Sequence, residues 1–226
     1  MYTGSAVNAL TTVDCNDDTP STNTSRVTLG LTAGTTYRIR VADYANLDAG
    51  MVALNVLYIA PPSGVTISAV PGTSPLQGQP LTLSANVAAG TAPFTYQWYR
   101  GTAPDTSTLV GTAQALSVAY LNGTYNFWVR VSNGNGSADS PTTIINVRPG
   151  NDDFASAYTV DPAALPYTRT QDSTNAPDEA GEVTYFGCMY NGIPNYQQPT
   201  SGSLWWNFTP TVSGIYQIDT IGSAAP

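Results

Sequence analysis

Apolar and polar residues alternate with a period of two over much of this chain. Between residues 65 and 147, short stretches place Val, Ile, Leu, Tyr or Trp at every second position, and turn signals such as Asn133-Gly134-Asn135-Gly136 separate them. Such alternation predicts strands with one buried face, and the turn spacing is typical of a two-sheet antiparallel sandwich. The stretches are 65–67, 81–87, 96–98, 116–118, 125–131 and 143–147.

The two flanks show the same pattern in shorter pieces. The alternation predicts strands at 27–29, 37–41 and 52–56, the last ended by Pro61-Pro62, which cannot donate ladder hydrogen bonds. Residues 151–157 begin with side chains suited to capping one short helical turn. Beyond them, 204–208 and 215–219 predict a hairpin, and a hairpin alone is marginal in water.

Composition supports an all-β fold and excludes several functions. The 226 residues include 20 Gly and 17 Pro but neither Lys nor His, which argues against long helices. A net charge of −8 and singly scattered arginines leave no basic face for nucleic acid. The longest apolar run, 51–60, is interrupted by Asn55 and is too short for membrane insertion. No signal peptide is visible, although abundant Thr, Ser, Asn and Gly without Lys resembles secreted or surface-exposed bacterial β-proteins.

Two segments of the central region resemble bacterial immunoglobulin-like domains. Tyr96-Gln97-Trp98-Tyr99 is similar to the strand with the core tryptophan, and Gly123-Thr124-Tyr125-Asn126-Phe127 to the tyrosine-corner segment. The resemblance places this domain at 61–148. Ala85 and Phe127 stand where that family has its disulfide, so we expect Trp98 to pack on Phe127 and stability to be ~2–4 kcal/mol lower than with a bridge.

The two flanks resemble complementary halves of one module, the bacterial pre-peptidase C-terminal-like β-sandwich. The match for 149–226, its N-terminal half, includes Asn151-Asp152-Asp153-Phe154 and 203–210; the match for 1–60, its C-terminal half, includes Ala33-Gly34-Thr35-Thr36-Tyr37. The resemblance implies a fragment of a tandem array of antiparallel sandwiches, with neighbouring modules as partners. The alternative is a complete protein beginning at Met1. We also expect head-to-tail self-association, in which 151–226 of one molecule completes 1–58 of another.

Two groups of acidic residues are candidate calcium ligands, because calcium prefers six to eight loop oxygens. Some relatives of the resembled module bind calcium near its N-terminal segment and acidic loop, whereas the alternative is a set of solvated turn residues. We expected little positive charge near either group. The candidate ligands are Asp14, Asp17 and Asp18, then Asp152, Asp153, Glu179 and Glu182.

The cysteines and several aromatic residues are further candidates. Cys15 and Cys188 could form a disulfide, between chains or with other partners, or remain free thiols, and sequence does not decide. An exposed aromatic set could stack on sugar rings or on a partner, although such residues more often cover a sandwich rim. Its members would be Trp128, one of Trp205 and Trp206, and the tyrosines Tyr185 and Tyr190.

Catalysis has almost no support in the sequence. No His can act as a base, no Lys can form a Schiff base, and no G-x-S-x-G motif occurs. The sequence therefore predicts non-catalytic extracellular modules of a larger repetitive secreted or surface protein, acting in spacing or adhesion. The alternative is a carbohydrate- or matrix-protein-binding accessory region of a secreted hydrolase. A spacer predicts few exposed aromatics, and a binding region predicts a coplanar set that includes Trp128 or Trp205.

Overall fold

The computed structural model describes residues 1–19, 24–42, 51–119, 123–182, 185–186, 198–199 and 202–223, with the side chains of 185–186 and 198–199 excluded. The chain divides into two compact units, Met1–Leu57 and Tyr58–Pro226. Both contain strands, and the all-β prediction is confirmed. No helix in the described part of the chain has the length and apolar character needed to cross a membrane.

The first unit has little regular structure among its described residues. Strands β1 (Tyr2–Thr3) and β2 (Thr11–Thr12) pair antiparallel, and Tyr2 forms an isolated bridge with Arg38. The strands predicted at 27–29, 37–41 and 52–56 are therefore wrong for the described residues. The physical reason is that a strand needs a paired neighbour along its length, and beyond the single bridge at Arg38 the described residues provide none for these segments. Ile39 and Val56 consequently stay exposed, at 45% and 76%.

The second unit contains an immunoglobulin-like sandwich of two antiparallel sheets. One sheet has the order β3-β4-β7 and the other the order β10-β8-β5-β6, with β9 also paired to β8. The predicted strands between 65 and 147 are all confirmed. The bounds are β3 (Ser63–Val70), β4 (Leu81–Ala89), β5 (Thr95–Arg100), β6 (Leu109–Gly111), β7 (Ala115–Val118), β8 (Gly123–Asn133), β9 (Gly136–Asp139) and β10 (Thr143–Val147).

The sandwich core is built from the predicted alternation. On β4, Leu81, Leu83 and Ala85 are buried while the residues between them are more exposed. Trp98 and Phe127 are fully buried in the same cluster, as expected for a core that replaces the family disulfide. The Trp98 indole N–H donates to the Ala113 carbonyl at 2.8 Å, so this large side chain leaves no unpaired polar atom in the core.

The last edge of the sandwich is broken into two strands, which the sequence did not predict. Strands β9 and β10 both pair with β8, and Ser140 lies between them. Ser140 accepts from Val129 N–H at 3.1 Å through Oγ and donates its own N–H to Val129 O at 2.9 Å. The hydroxyl thus keeps the β8 backbone satisfied where the ladder is interrupted.

The C-terminal part adds short strands to this unit. Strands β11 (Tyr158–Val160) and β14 (Trp206–Phe208) pair in parallel, and β12 (Tyr185–Phe186) and β13 (Gln198–Pro199) pair antiparallel. The predicted helical turn is confirmed as a 3₁₀ turn at Phe154–Ser156, but the capping is wrong, because the Asp153 side chain makes no cap hydrogen bond; a second 3₁₀ turn follows at Pro162–Ala164. The predicted hairpin of 204–208 with 215–219 is wrong, because β14 pairs with β11 and 215–219 forms no strand.

Candidate functional site

Arg148, directly after β10, is fixed to the sandwich by backbone and side chain. Its N–H donates to Pro75 O at 2.9 Å, and its carbonyl accepts from Gln77 N–H at 2.8 Å. Its Nε donates to Ser74 O at 3.1 Å. The guanidinium therefore leaves the sandwich in a defined direction.

This guanidinium binds the carboxylates of Asp152 and Asp153. Nη1 bonds to Asp152 Oδ2 and lies 2.6 Å from Asp153 Oδ1, while Nη2 lies 3.3 Å from Asp153 Oδ2. The Asp152 side chain is 1% exposed and that of Arg148 is 19% exposed. Gly150 lies between these residues, and a Cβ there would lie 2.5 Å from the Tyr158 hydroxyl, so a larger residue would require a shift.

Opposing influences act on the pKa of Asp152. Burial raises the pKa of Asp152, and the nearby charges of Asp153 and Glu182 act in the same direction, whereas Arg148 lowers it. The net pKa is above the usual aspartate value. Arg148 is thus the group that favours the charged form of a carboxylate that burial would otherwise neutralise.

Trp205 contacts the residues that follow Arg148 through hydrogen bonds and a ring contact. Asn151 donates through Nδ2 to Trp205 O at 3.0 Å and accepts Trp205 N–H through its carbonyl at 2.9 Å. The Trp205 carbonyl also accepts Tyr158 N–H at 3.0 Å, and its ring meets Phe154 edge to face at 5.0 Å. We name the set Arg148, Asn151, Asp152, Asp153 and Trp205 the junction.

The junction and the nearby residue Ser203 contain buried polar atoms without a hydrogen-bond partner among the described residues. They lie on two short stretches, 151–152 and 203–205, which the Asn151–Trp205 bonds hold together. Both acceptors and donors are represented, so the chemistry suits a small polar ligand or water rather than an apolar one. The atoms are Asn151 Oδ1, Asp152 Oδ1, Ser203 Oγ and Trp205 Nε1.

The structure does not assemble the predicted calcium ligands into a metal site. Glu179 accepts Phe154 N–H at 2.8 Å and Glu182 accepts Glu179 N–H at 2.8 Å, so both carboxylates bind backbone donors. Within the described ranges no group of three or more His, Cys, Asp or Glu side chains could hold a metal. The expectation of little positive charge nearby is wrong for Asp152 and Asp153, since Arg148 binds both.

The N-terminal acidic residues make local hydrogen bonds. Asp14 accepts Cys15 N–H at 2.8 Å, whereas Asp17 and Asp18 use backbone carbonyls to accept from Ser25 and Asn16. Cys15 is exposed with a free thiol. Cys188 lies outside the described residues, so a bridge between molecules stays a prediction.

Trp128 was expected to be exposed, and that is wrong, because its side chain is 0% exposed. It stacks on Tyr99 with centroids 4.6 Å apart, and its indole N–H donates to Asp105 O at 3.1 Å. The segment that contains Asp105 connects β5 to β6, and it supplies this indole with a partner on the face that alternation assigned to solvent. Trp128 is therefore not part of a stacking platform.

The remaining aromatic candidates differ in exposure, and two of them have side chains outside the described part of the chain. Trp205 is half-buried, whereas Trp206 is 38% exposed. Tyr185 lies in β12 with an undescribed side chain, and Tyr190 lies outside the described residues. A platform would depend on Trp206 and Phe154, the latter 60% exposed.

Comparison with known proteins identifies no family for this chain. No protein-family model matches the chain, and no curated protein sequence matches it. A solved structure, the second Ig-C2 domain of human Fc-receptor-like A, is 19% identical over 40% of this chain and 98% of its own, with a TM-score of 0.27. The immunoglobulin-like assignment of residues 63–147 accordingly depends on the strand order and the Trp98–Phe127 core described above.

Proposed function

We propose that this chain is a non-catalytic spacer in a larger, modular extracellular protein, with the junction serving as a stiff connection. The observation that supports it most strongly is the binding of Arg148 by Asp152 and Asp153. Boundaries between domains usually lie in exposed, flexible linkers with few contacts. Here the chain that leaves the sandwich is bound back to it within five residues by a largely buried ion pair.

Ion pairs on a protein surface add little to stability, but in this pair the aspartate side chain is removed from solvent. Separating it would leave the Asp152 carboxylate, which is 1% exposed, without a counter-charge. Bending at this point is therefore costly, and Tyr58–Pro226 forms one compact unit. A spacer that holds a neighbouring domain at a distance needs this resistance to bending.

The described surface supports a spacer better than an enzyme. A depression of about 460 Å³ is lined by Arg100, Gly101, Thr108, Thr124, Tyr125 and Asn126. These residues include no carboxylate, imidazole or thiol that could act as a general base or nucleophile. The burial of Trp128 likewise removes one of the two aromatic residues on which the binding alternative depended.

Native-state hydrogen exchange tests the stiff connection. The amides of Tyr158 and Trp205 bond across the junction, and those of Val129 and Val131 lie in the sandwich core. We expect the junction amides to exchange only through openings far rarer than local fraying, and Arg148→Gln to accelerate them more than it accelerates Val131, whose exchange follows the stability of the whole unit. Junction amides that exchange at the rate of unstructured peptides would contradict the proposal.

A second candidate, binding of a polysaccharide or matrix protein, is favoured by one observation. Phe154, which is 60% exposed, contacts the Trp205 ring, and the next residue along the chain, Trp206, is 38% exposed. The test is retention on insoluble cellulose, chitin and collagen, with and without calcium, comparing wild type with Trp206→Ala and with Tyr167→Ala as a control. A spacer is not retained, whereas retention lost only in Trp206→Ala would support the binding function.

A further inference from the structure

The chain enters the sandwich through residues 58–60, which we name the entry segment. Exposure falls along it, because Tyr58 is 74% exposed whereas Ile59 and Ala60 are half-buried. Ala60 N–H donates to Thr91 Oγ1 at 3.0 Å, and Ala60 O accepts Thr91 N–H at 3.0 Å. The entry segment is thus bound to the loop after β4, although it forms no strand.

Two asparagines at the turn between β8 and β9 also bind the entry segment. Asn133 donates through Nδ2 to Ala60 O at 2.6 Å and to Thr91 O at 2.9 Å. Asn135 donates through Nδ2 to Ile59 O at 2.6 Å. Each acceptor is a backbone carbonyl, so each bond needs an amide N–H. An aspartate at either position would place a carboxylate oxygen against a carbonyl oxygen, and neither can donate.

Each of these asparagines is followed by a glycine, Gly134 or Gly136. Asparagine is a thermolabile residue, and a following glycine leaves the next amide nitrogen unshielded by a side chain. That nitrogen loses its proton to hydroxide and attacks the asparagine Cγ, so that a C–N bond forms. The bond from Cγ to Nδ2 breaks, and Nδ2 leaves as ammonia after taking a proton from water. Water then opens the cyclic imide at either carbonyl, which gives aspartate or isoaspartate.

The two asparagines differ in how firmly their side chains are held. Asn133 is half-buried, and besides its two donated bonds its Oδ1 accepts Asn135 N–H at 2.9 Å. Asn135 is exposed, and its side chain makes one hydrogen bond to the described residues. Attack on Cγ requires the side chain to turn towards the next amide nitrogen. Three bonds therefore protect Asn133, whereas Asn135 has to break one bond at the surface.

We propose that Asn135 is a site of spontaneous deamidation, and that this modification releases the entry segment from the turn between β8 and β9. Loss of Nδ2 removes the donor to Ile59 O and leaves a carboxylate facing that carbonyl. The consequence for stiffness rests on the proposed spacer function, because it makes the entry to the sandwich looser as the molecule ages. The modification itself needs only water and no enzyme.

Peptide mapping tests the modification, after the folded full chain has been incubated at mildly alkaline pH. Fragmentation of the peptide that contains both asparagines localises the change from amide to carboxylate. We expect Asn135 to convert several times faster than Asn133, whereas in denaturant the two convert at similar rates. Asn135→Gln should keep its amide over the same time, because glutamine would have to close a larger ring. Asn135 that persists as long as Asn133 in the folded chain would overturn the site.

Hydrogen exchange at the amides of Ala60 and Thr91 tests the consequence. Asn135→Asp should accelerate both by about tenfold, as expected when a hydrogen bond is lost and its acceptor is left unpaired. The control is Asn146→Asp, which adds the same charge at an exposed position of β10. The side chain of Asn146 accepts from Thr124 Oγ1 through an oxygen that aspartate keeps, so both rates should stay at the wild-type value. Unchanged exchange in Asn135→Asp, or equal acceleration in the control, would overturn the release.

Failure of this inference is distinguishable from failure of the proposed function. If Asn135 does not convert, the exchange of the junction amides of Tyr158 and Trp205 is unaffected and the stiff connection stands. If those amides exchange at the rate of unstructured peptides, the spacer function is lost, whereas conversion of Asn135 is still measured by mass.

Discussion

Replacing Arg148 with glutamine tests the energetics of the junction. Glutamine keeps a polar side chain but removes the charge that balances Asp152, whose side chain is 1% exposed. Removing one partner of a buried ion pair costs about 3–5 kcal/mol. Arg148 is itself 19% exposed and Asp153 is 29% exposed, so we expect the lower end, about 3 kcal/mol.

The assay is chemical and thermal unfolding of wild type and Arg148→Gln at neutral and acidic pH. For a unit of this size, about 3 kcal/mol corresponds to a fall in Tm of about 6–12 °C. Burial raises the pKa of Asp152, so the folded state binds the proton more tightly than the unfolded state, whose aspartate pKa is about 3.9. The contribution of Asp152 to the free energy of unfolding therefore falls as the pH rises from the unfolded-state pKa to the higher folded-state pKa.

Arg148 lowers the pKa of Asp152, so its loss raises the folded-state pKa further. The pH range between the unfolded-state and folded-state pKa values is therefore wider in the variant. The loss of stability caused by Arg148→Gln should accordingly be largest near neutral pH. It should shrink as the pH is lowered to about 4, which is close to the unfolded-state aspartate pKa. Adding Asp152→Asn to Arg148→Gln should restore much of the loss, because no buried charge is left unpaired.

The control is Arg130→Gln, which breaks the Arg130–Asp139 pair with side chains 32% and 29% exposed. Such surface pairs contribute less than about 1 kcal/mol. If Arg148→Gln costs no more than Arg130→Gln, or if its effect is independent of pH, the reasoning about the junction is refuted.

Three further predictions concern the core, calcium and the thiol. Trp128→Ala should lower the free energy of unfolding by about 3–5 kcal/mol, because it empties a fully buried site and removes the Tyr99 stacking; a loss below 1 kcal/mol would contradict this burial. Because Arg148 already binds Asp152 and Asp153, wild type should show the same Tm in calcium and in chelator, and a higher Tm in calcium would contradict this arrangement. Cys15 should be alkylated by iodoacetamide without denaturant, as peptide mass spectrometry would show, whereas protection would mean that the thiol is covered or bridged.

The central sandwich could be predicted because its strands need little beyond alternation. Leu81, Leu83 and Ala85 lie at every second position and all face one core, so pattern and burial agree. Strand β9 escaped prediction because Gly136–Asp139 contains small and charged residues that give no apolar period. Its pairing follows from the tight turn after β8, a local signal that the sequence contains but that alternation of apolar residues does not report.

Alternation of apolar and polar residues does not show which other segment covers a given face of a strand. It placed Trp128 opposite the buried Phe127 and hence in solvent, yet the segment between β5 and β6 binds the indole. It predicted strands at 37–41 and 52–56, and these are wrong, because alternation does not supply the neighbouring strand that a ladder requires.

The junction could have been found from sequence by asking where each isolated arginine meets acidic residues. Arg148 precedes Asp152 and Asp153 by four and five residues, with Pro149 and Gly150 providing a turn. Spacing of that kind is usually considered only for helices, and none forms here. The burial of Asp152 and the bonds of Asn151 to Trp205 depend on chain that lies some fifty residues away, which local pattern does not report.

Backbone ¹⁵N relaxation tests the stiff connection most directly, because it reports whether the sandwich and the chain after it rotate together. The account predicts one rotational correlation time for residues 63–147 and for 151–160, with Arg148→Gln shortening the second value and leaving the first unchanged. A shorter correlation time for 151–160 in the wild-type protein would show an independently moving segment and would contradict the account.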